Sequence, residues 1–518
     1  SEDRSDIHFT TRASGICYNT VKYRFMLASQ YIQSEQIPKD IRAVALTLEI
    51  AGFEAYLVGG CVRDMIMNKT PKDYDLTTSA KPEEIIALFP KTFYENEFGT
   101  VGVVVNHELE TEQIVEVTPF RTESMYSDNR HPDVVSFSNN IADDLCRRDF
   151  TMNAVAYRVS TNELIDLHEG IGDILSQTIR TVGNPNERFG EDALRLLRAV
   201  RFSAQLGFHV EQSAKAAITE LAYKLQDISK ERIRDEFVRI IESDQPMAGL
   251  ILAHELGLLQ YIVPELENGI GVTQNQAHSY DVWEHNLRTL QHAADMKWPL
   301  HVRLSAIFHD ISKPETRRFS AEKKQYTFYG HDVVGGRVTR EIMKRLKFSK
   351  ELTDQVSLFV RWHMFFSDTE EISLSAVRRL IAHVGKQNVW DLMDLRVCDR
   401  IGTGRPKAEP YRLRKYKAMV EQAMRDPVTV GMLQIDGARI MEVTHETPGP
   451  KIGYVLHALL EEVLEDPSKN TSEYLEKQAV LHMKRDLVEL KALSDQGKQK
   501  KEEVEGYELK EIHKKFKI

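Results

Sequence analysis

From about residue 40 to 180, short apolar runs alternate with segments of helical period. "AYLVGG" (55–60), "VGVVV" (101–105), "QIVEVTPF" (113–120) and "NELIDL" (162–167) predict strands, and "SAKPEEIIALF" (79–89) predicts a helix. That alternation reads as an α/β or α+β domain. From about residue 186 the strand signals fade, and "GEDALRLLRAVRFSAQL" (190–206), "SKERIRDEFVRIIES" (229–243) and "GLILAHELGLLQYI" (249–262) predict helices. "GPKIGYVLHALLEEVLED" (449–466) opens on Gly-Pro and keeps an apolar period, as a capped amphipathic helix does. The expected class is α+β: a mixed N-terminal head, then all-α segments.

The same pattern sets expected boundaries. Residues 1–37 are a polar extension, 38–180 the head, 181–270 a helical neck and body, and 271–410 a helical block with most of the histidines. A further helical segment, 411–480, and a Lys/Glu-dense end, 481–518, complete the division. Several domains are expected of 518 residues, because one core rarely exceeds about 250–300 residues.

Composition changes this picture little. At 42% hydrophobic and 28% charged the chain is an ordinary globular protein, and no apolar run reaches the roughly 18 residues of a membrane span. The net charge of −10 argues against a general nucleic-acid sponge. It leaves room for a local basic groove, and "ERFGEDALRLLRAVRF" (187–202) concentrates arginine. Cys17, Cys61, Cys146 and Cys398 form no C-x-x-C pair, which points to a reducing compartment and a cytoplasmic location. The N-terminus has neither an initiator Met nor a signal-segment layout, so a processed start or an expression scar is expected.

The densest chemistry lies in "YLVGGCVRDMIMNKTPKDYDL" (56–76). On a strand, residues two apart share a face, so Asp73 and Asp75 project together and repel unless a cation lies between them. Oxygen-only ligation of that kind suits Mg²⁺ with substrate phosphates. Gly59 and Gly60 let backbone N–H groups approach a polyphosphate at the start of a helix, and Arg63, one turn in, adds a charged donor. Glu116, in another strand-like run, is a candidate third carboxylate. Three carboxylates could hold two metals about 3.5–4 Å apart, to activate an attacking oxygen and steady a leaving pyrophosphate.

This segment resembles the head motif of the tRNA nucleotidyltransferase and bacterial poly(A) polymerase family, class II of the polymerase-β-like superfamily. Four later stretches are similar to that family in order and spacing. "RRDFTMNA" (147–154) resembles its ribose-sensing motif, which implies that Arg148 and Asp149 lie near the sugar and phosphates. "DLHEGIGDI" (166–174) resembles the link between head and neck, "GEDALRLLRAVRF" (190–202) the nucleotide-selecting helix, and "SKERIRDEF" (229–237) the neck motif.

Spacing alone places Asp192, Arg195, Arg198 and Arg201 three apart, a slowly drifting polar stripe on one helix. One reading is a surface stripe with an Asp–Arg pair worth a few tenths of a kcal/mol. The other is a base reader. Cytosine N4 and adenine N6 are amine donors that a carboxylate accepts, whereas uracil and guanine present a carbonyl there. The resemblance gives base reading to Asp192 and Arg195, with Arg198 and Arg201 holding the nucleotide. Such a pocket takes CTP and ATP without a template.

In the histidine block, "HSYDVWEH" (278–285), "FHDISKP" (308–314), "YGHD" (329–332), "RWHMF" (361–365) and "VCDR" (397–400) resemble an HD phosphohydrolase domain. The resemblance implies a ligand set of His285, His309, Asp310, His331, His363 and Asp399, suited to a second divalent metal beside the Mg²⁺ of the head. Phosphatase or cyclic phosphodiesterase activity toward RNA ends is what some relatives would imply.

The family resemblance therefore implies an enzyme that adds C, C and A to tRNA 3′ ends from CTP and ATP and releases pyrophosphate. Relatives that add only CC, only A, or poly(A) are the alternatives; an RNA-binding protein with an inactive head is the alternative of another class. "RTESMYSDNRHPDVVSF" (121–137), with Arg121, Asp128 and Arg130, is similar to a flexible loop that CC-only enzymes lack, which favours full CCA addition.

Overall fold

The computed structural model describes residues 25–95, 99–106, 112–124, 134–274, 279–365 and 372–494. The chain divides into two units, one of Ser1–Ile240 with Ala248–Ile262, the other of Ile241–Met247 with Val263–Ile518.

The first unit begins with strand β1 (Phe25–Leu27) and helix α1 (Lys39–Ile50), which buries Ile41, Val44, Ala45 and Leu48 at helical spacing. Strand β2 (Ala55–Val58), buried throughout, runs into helix α2 (Gly60–Ile66). Strand β3 (Asp75–Thr78), helix α3 (Pro82–Leu88) and strands β4 (Thr92–Tyr94), β5 (Val101–Asn106) and β6 (Glu112–Pro119) follow. Next come the ribbon strands β7 (Arg121–Ser124) and β8 (Val134–Phe137), helix α4 (Ile141–Cys146), and strands β9 (Val155–Arg158) and β10 (Glu163–Asp166).

Eight of these strands form one sheet in the order β1-β10-β9-β2-β3-β6-β5-β4. Within this sheet, among the described residues, only β3 and β6 pair in parallel, with Asp75 opposite Glu116. The runs predicted as strands are β2, β5, β6 and β10, and α3 is the predicted helix. Residues 25–27, inside the stretch read as an extension, pair with β10 as an edge strand of the sheet. The stretch read as a flexible loop begins and ends as the paired β7–β8 ribbon. Asp128 and Arg130 lie outside the described residues.

Helix α5 (Gly170–Leu175) and strand β11 (Thr178–Ile179) lead out of the head. Then come α6 (Pro185–Glu191), α7 (Leu194–Leu206), strand β12 (His209–Val210), and helices α8 (Gln212–Leu221), α9 (Lys230–Ile241) and α10 (Pro246–Glu255). The predicted stripe thus needs a correction: Asp192 is not on the helix with the arginines. It is extended at φ −138° and ψ 106°, in the break between α6 and α7, and its Oδ1 accepts from Leu194 N at 3.0 Å. A short carboxylate that bonds its own backbone competes with helix formation, and here that bond starts a new helix.

The second unit holds α11 (Val282–Asp295), α12 (Leu300–Phe308), α13 (Lys313–Thr316), the hairpin β13 (Arg318–Ser320) with β14 (Gln325–Thr327), α14 (His331–Arg345) and α15 (Lys350–Trp362). It continues through α16 (Leu374–Val384), α17 (Val389–Gly402) and α18 (Tyr411–Ala423), then α19 (Gly437–Thr444), α20 (Pro450–Glu465), α21 (Ser472–Met483) and α22 (Leu487–Ser494). The hairpin interrupts the all-helical expectation; Phe319 and Tyr326 pair across it with ring centroids 5.5 Å apart. Helix α20 starts on the predicted Gly-Pro pair and packs Ile452, Val455, Leu459 and Val463 against α19 and α21.

Candidate active site

The head site grows from the end of β2. Gly59 has φ +77°, and a Cβ there would sit 3.3 Å from Arg148 Nη1 and 3.6 Å from Asp75 Oδ2. A side chain is excluded by conformation and by the two charged groups at its elbow. Gly60 opens α2.

Arg63 stands one turn into α2, as expected, and makes its contacts to neighbouring side chains. It is buried, donates from Nε and Nη2 to Asp64 Oδ1 at 2.9 and 2.7 Å and from Nη1 to Asn153 Oδ1 at 2.8 Å, and lies over the Phe202 ring. Three of its five N–H donors are engaged within the protein, and Nη2 lies 3.5 Å from where a Cβ of Gly60 would sit.

Asp75 begins β3, and Asp73 stands in the bend before it, not on the strand as predicted. Glu116 is the register partner of Asp75, flanked by the buried Val115 and Val117. Lost solvation raises the Asp75 carboxyl, Arg148 pulls it back, and the Asp73 charge adds a further upward push. Glu116 is also raised, by lost solvation first and then by Asp75, Glu95 and Asp73. Glu95, not singled out from the sequence, completes this acidic group. Asp73 thus pushes on both Asp75 and Glu116, and Asp75 on Glu116; a shared cation would remove that repulsion.

Arg148 links this group to a polar cleft of about 280 Å³ lined by Arg147, Arg148, Asp149, Asp192, Leu194, Arg195, Arg198 and Arg232. Asp144, buried just upstream in α4, accepts from Arg147 at 2.6 Å and from Arg148 at 3.0 Å, and so fixes both guanidinium groups. Asp149 accepts from Phe150 N and, at Oδ2, from Arg198 Nε, both at 2.8 Å, and Arg198 Nη2 lies 2.5 Å from the same oxygen. Burial alone would raise its carboxyl; the Arg198 charge and hydrogen bond, then Arg195, bring it down to about 2. Arg195 donates to Arg188 O at 2.9 Å and closely to Glu191, which also holds Arg188 at 2.9 Å.

Arg201 does not line the cleft. It is buried, pairs with the buried Glu236 at 3.1 Å and lies 4.1 Å from the Phe202 ring centroid. Burial, then the nearby Arg198, lowers it to about 10. The structure therefore brings Arg148, Asp149, Asp192, Arg195 and Arg198 together and sets Arg201 behind them. Sequence reading missed Asp144, Asn153, Glu191, Arg232 and Glu236. Asn153, Glu191, Arg232 and Glu236 stood inside the quoted motifs, and only their partners reveal what they hold.

In the second unit, the six HD-block residues are buried and converge. Asp310 Oδ2 is 3.1 Å from Nε2 of both His285 and His309, while Asp310 Oδ1 is 3.2 Å from His331 Nε2 and 3.6 Å from His363 Nε2. Asp399 Oδ1 lies 3.4 Å from His285 Nε2. His309, His331 and His363 each place Nδ1 on a backbone carbonyl, of Ala306, Phe328 and Val360, at 2.9, 2.6 and 2.6 Å. A carbonyl only accepts, so Nδ1 carries the proton and each Nε2 offers a lone pair. Yet Nε2 of His331 and His363 face each other at 3.3 Å. Such an arrangement fits a divalent ion, with the carbonyls orienting the ligands. Asp310 belongs to both three-residue groups able to hold one. Burial opposes charge on His285, but Asp310 and Asp399 carry it up to about 9, whereas burial takes His363 down to about 4.

Comparisons with known proteins identify the domains that carry these residues. Residues 55–180 match the family model for the poly A polymerase head domain, 207–270 that for the probable RNA and SrmB-binding site of polymerase A, and 282–402 the HD domain. The CCA-adding enzyme of Enterococcus faecalis is 34% identical over 448 residues, 84% of this chain and 94% of that protein. That of Leuconostoc citreum is 45% identical over 237 residues, 46% of this chain and 56% of that protein. Among solved structures, the Bacillus stearothermophilus CCA-adding enzyme in complex with CTP superposes with a TM-score of 0.63 at 25% identity, covering 86% of this chain and 97% of that one.

Proposed function

Since this chain belongs to the CCA-adding enzyme family, we propose a division of labour among its site residues for adding C, C and A to tRNA. The chain is a nucleotidyltransferase whose partners are tRNA, CTP and ATP. One observation carries the assignment of roles: Arg148 borders both the Asp73–Asp75–Glu116 carboxylates and the cleft with Asp192 and Arg195. A nucleotide bridging the two would put its base at one end and its phosphates at the other.

In this reading the tRNA 3′-hydroxyl forms a bond to the α-phosphorus of CTP, twice, and then of ATP. The bond from that phosphorus to the bridging oxygen breaks, and pyrophosphate leaves. Asp73, Asp75 and Glu116 hold divalent cations, for which Mg²⁺ is the best match to an all-oxygen set. When bound, the cations stabilise charge on the attacking and leaving oxygens. Gly59 and Gly60 admit the phosphates, Arg148 and Asp149 border the ribose and phosphate end, and Arg198 fixes Asp149. Asp192 accepts from the exocyclic amine of cytosine or adenine, and Arg195 donates to the ring nitrogen beside it. Arg63, bonded to Asp64 and Asn153, and Arg201, bonded through Nη1 to Glu236, support Asn153 and α9. The head takes in 38–180 together with the edge strand of residues 25–27, the neck and body 181–270, and the HD block 271–410.

The test is tRNA ending at the discriminator base, incubated with CTP and ATP. Exactly three additions are expected of wild type, and a stall after CC when residues 124–131 are replaced by a short Gly-Ser link. No addition until CC is already present would overturn the full-CCA reading.

The converging imidazole lone pairs favour a second activity. His285, His309, Asp310, His331, His363 and Asp399 would bind one or two divalent ions and hydrolyse phosphate esters at RNA ends. Among the described residues no helix is long and apolar enough to cross a membrane, and a cytoplasmic location accords with the tRNA substrate.

A further inference from the structure

Asp192 is held from two sides. Its Oδ1 accepts from Leu194 N at 3.0 Å, and its Oδ2 accepts from Arg232 Nη2 at 2.7 Å. Arg232 comes from α9, 40 residues further along the chain, and lines the same cleft. Its other terminal nitrogen, Nη1, is buried and has no hydrogen-bond partner among the described residues. The contact is therefore one bond, not the two-bond fork an arginine makes when it exists only to neutralise a carboxylate. Two anchors on different oxygens fix the carboxylate plane. Each oxygen keeps a further lone pair, because a carboxylate offers about four acceptor positions.

The neighbouring Arg195 has a separate clamp, Glu191 and the Arg188 carbonyl. The acceptor and the donor that face a base are thus fixed by different helices: Arg195 from α6, Asp192 from α9.

We propose that Arg232 is a specificity-determining positioning residue, which holds the Asp192 carboxylate as a fixed acceptor so that a base with a carbonyl at that place is refused. The inference rests on the reading of Asp192 as the base-reading acceptor. Selection by acceptor against acceptor works only if the carboxylate cannot turn away. A carboxylate anchored at Leu194 N alone can rotate, tolerate the O4 of uracil and lose part of its hold on the N4 of cytosine. Loss of Arg232 should therefore act on discrimination between nucleotides more than on the rate of transfer.

The experiment measures kcat and KM for CTP, ATP, UTP and GTP on a tRNA acceptor, for wild type, Arg232→Met, Arg232→Lys and Asp192→Ala. Arg232→Met keeps the bulk and removes the bond. It should raise KM for CTP and ATP by about tenfold with a smaller change in kcat, and cut the CTP over UTP preference by about tenfold or more. Arg232→Lys, which keeps the cation, should recover part of that preference. Simple loss of folded enzyme lowers all four substrates equally and leaves the ratio unmoved. If Asp192→Ala loses discrimination while Arg232→Met keeps it within about twofold, the role of Arg232 is refuted and base reading by Asp192 stands. If Asp192→Ala itself discriminates as wild type does, the underlying reading fails and the inference with it. Should Arg232→Met prove unfolded by thermal melting, Arg232→Gln, polar but two bonds too short to reach Asp192, carries the test, and wild-type discrimination in that variant overturns the proposal.

Discussion

Arg198 closes on one oxygen of Asp149 with two nitrogens, Nε at 2.8 Å and Nη2 at 2.5 Å. Asp149 belongs to the head, just after α4, and Arg198 lies one turn into α7. The bond ties the selecting helix to the head, so the base-reading pair and the phosphate end share one frame.

The pair gives stability a pH dependence of definite sign. The Asp149 carboxyl is near 3.8 when unfolded and about 2 when folded, and a depressed folded value stabilises above the unfolded one. The contribution, on the order of 2 kcal/mol, is complete above about pH 5, roughly half gone at pH 3, and lost as pH falls through 2. Urea midpoints of wild type and Asp149→Asn should differ most at pH 7 and converge toward pH 3. An unchanged gap at pH 3 would assign the effect to packing.

Asp75→Ala should abolish nucleotide transfer and leave tRNA affinity nearly unchanged, because it removes the carboxylate that stands opposite Glu116 at the centre of the acidic group. Single-turnover transfer and filter binding separate the two effects. Transfer within about tenfold of wild type would sink the metal-holding role.

Asp192→Ala should impair CTP and ATP and narrow their preference over UTP, since the acceptor that clashes with O4 is gone. Competition between labelled CTP and UTP reads this directly. Undiminished preference would assign base reading to another residue.

Glu236 and Arg201 form a buried pair, each side chain about 5% exposed. Glu236→Ala leaves a buried guanidinium unpaired and should cost about 3–5 kcal/mol, read from the denaturant midpoint. Replacing both residues by leucine should cost much less. Equal losses in the single and double variants would mean that packing, and not charge, dominates there.

Wild type should bind about one or two divalent ions per chain in the HD block, measured with Mn²⁺ or Ni²⁺. The double variant His309→Ala, Asp310→Ala should lose that binding and any phosphatase activity, and CCA addition should survive. Wild type that takes up no metal would leave the histidine cluster a structural role only.

Much of this protein was legible locally. The apolar run of β2, the paired glycines after it and the carboxylates of β3 and β6 lie within a few residues of one another or in strands of plain β pattern. The family motifs brought Asp149, Asp192 and Arg195 into view by the same short-range signal. Helical period also suggested one continuous helix through Asp192, and there it failed, because the side chain of Asp192 bonds its own backbone and starts α7 afresh. It could not tell that Arg201 turns inward to Glu236 while Arg198 turns to Asp149; both lie on one helix, and each partner is 35 to 49 residues away. The hairpin at Phe319 and Tyr326 was missed for a related reason, since three-residue strands carry too little pattern and are fixed by their cross-strand partner. Sequence by itself determined which residue types could do the chemistry and which elements would carry them. Only tertiary structure decided which charge each one faces, because ion pairs such as Arg201 with Glu236 join separate helices, and the period of either helix holds no record of the other.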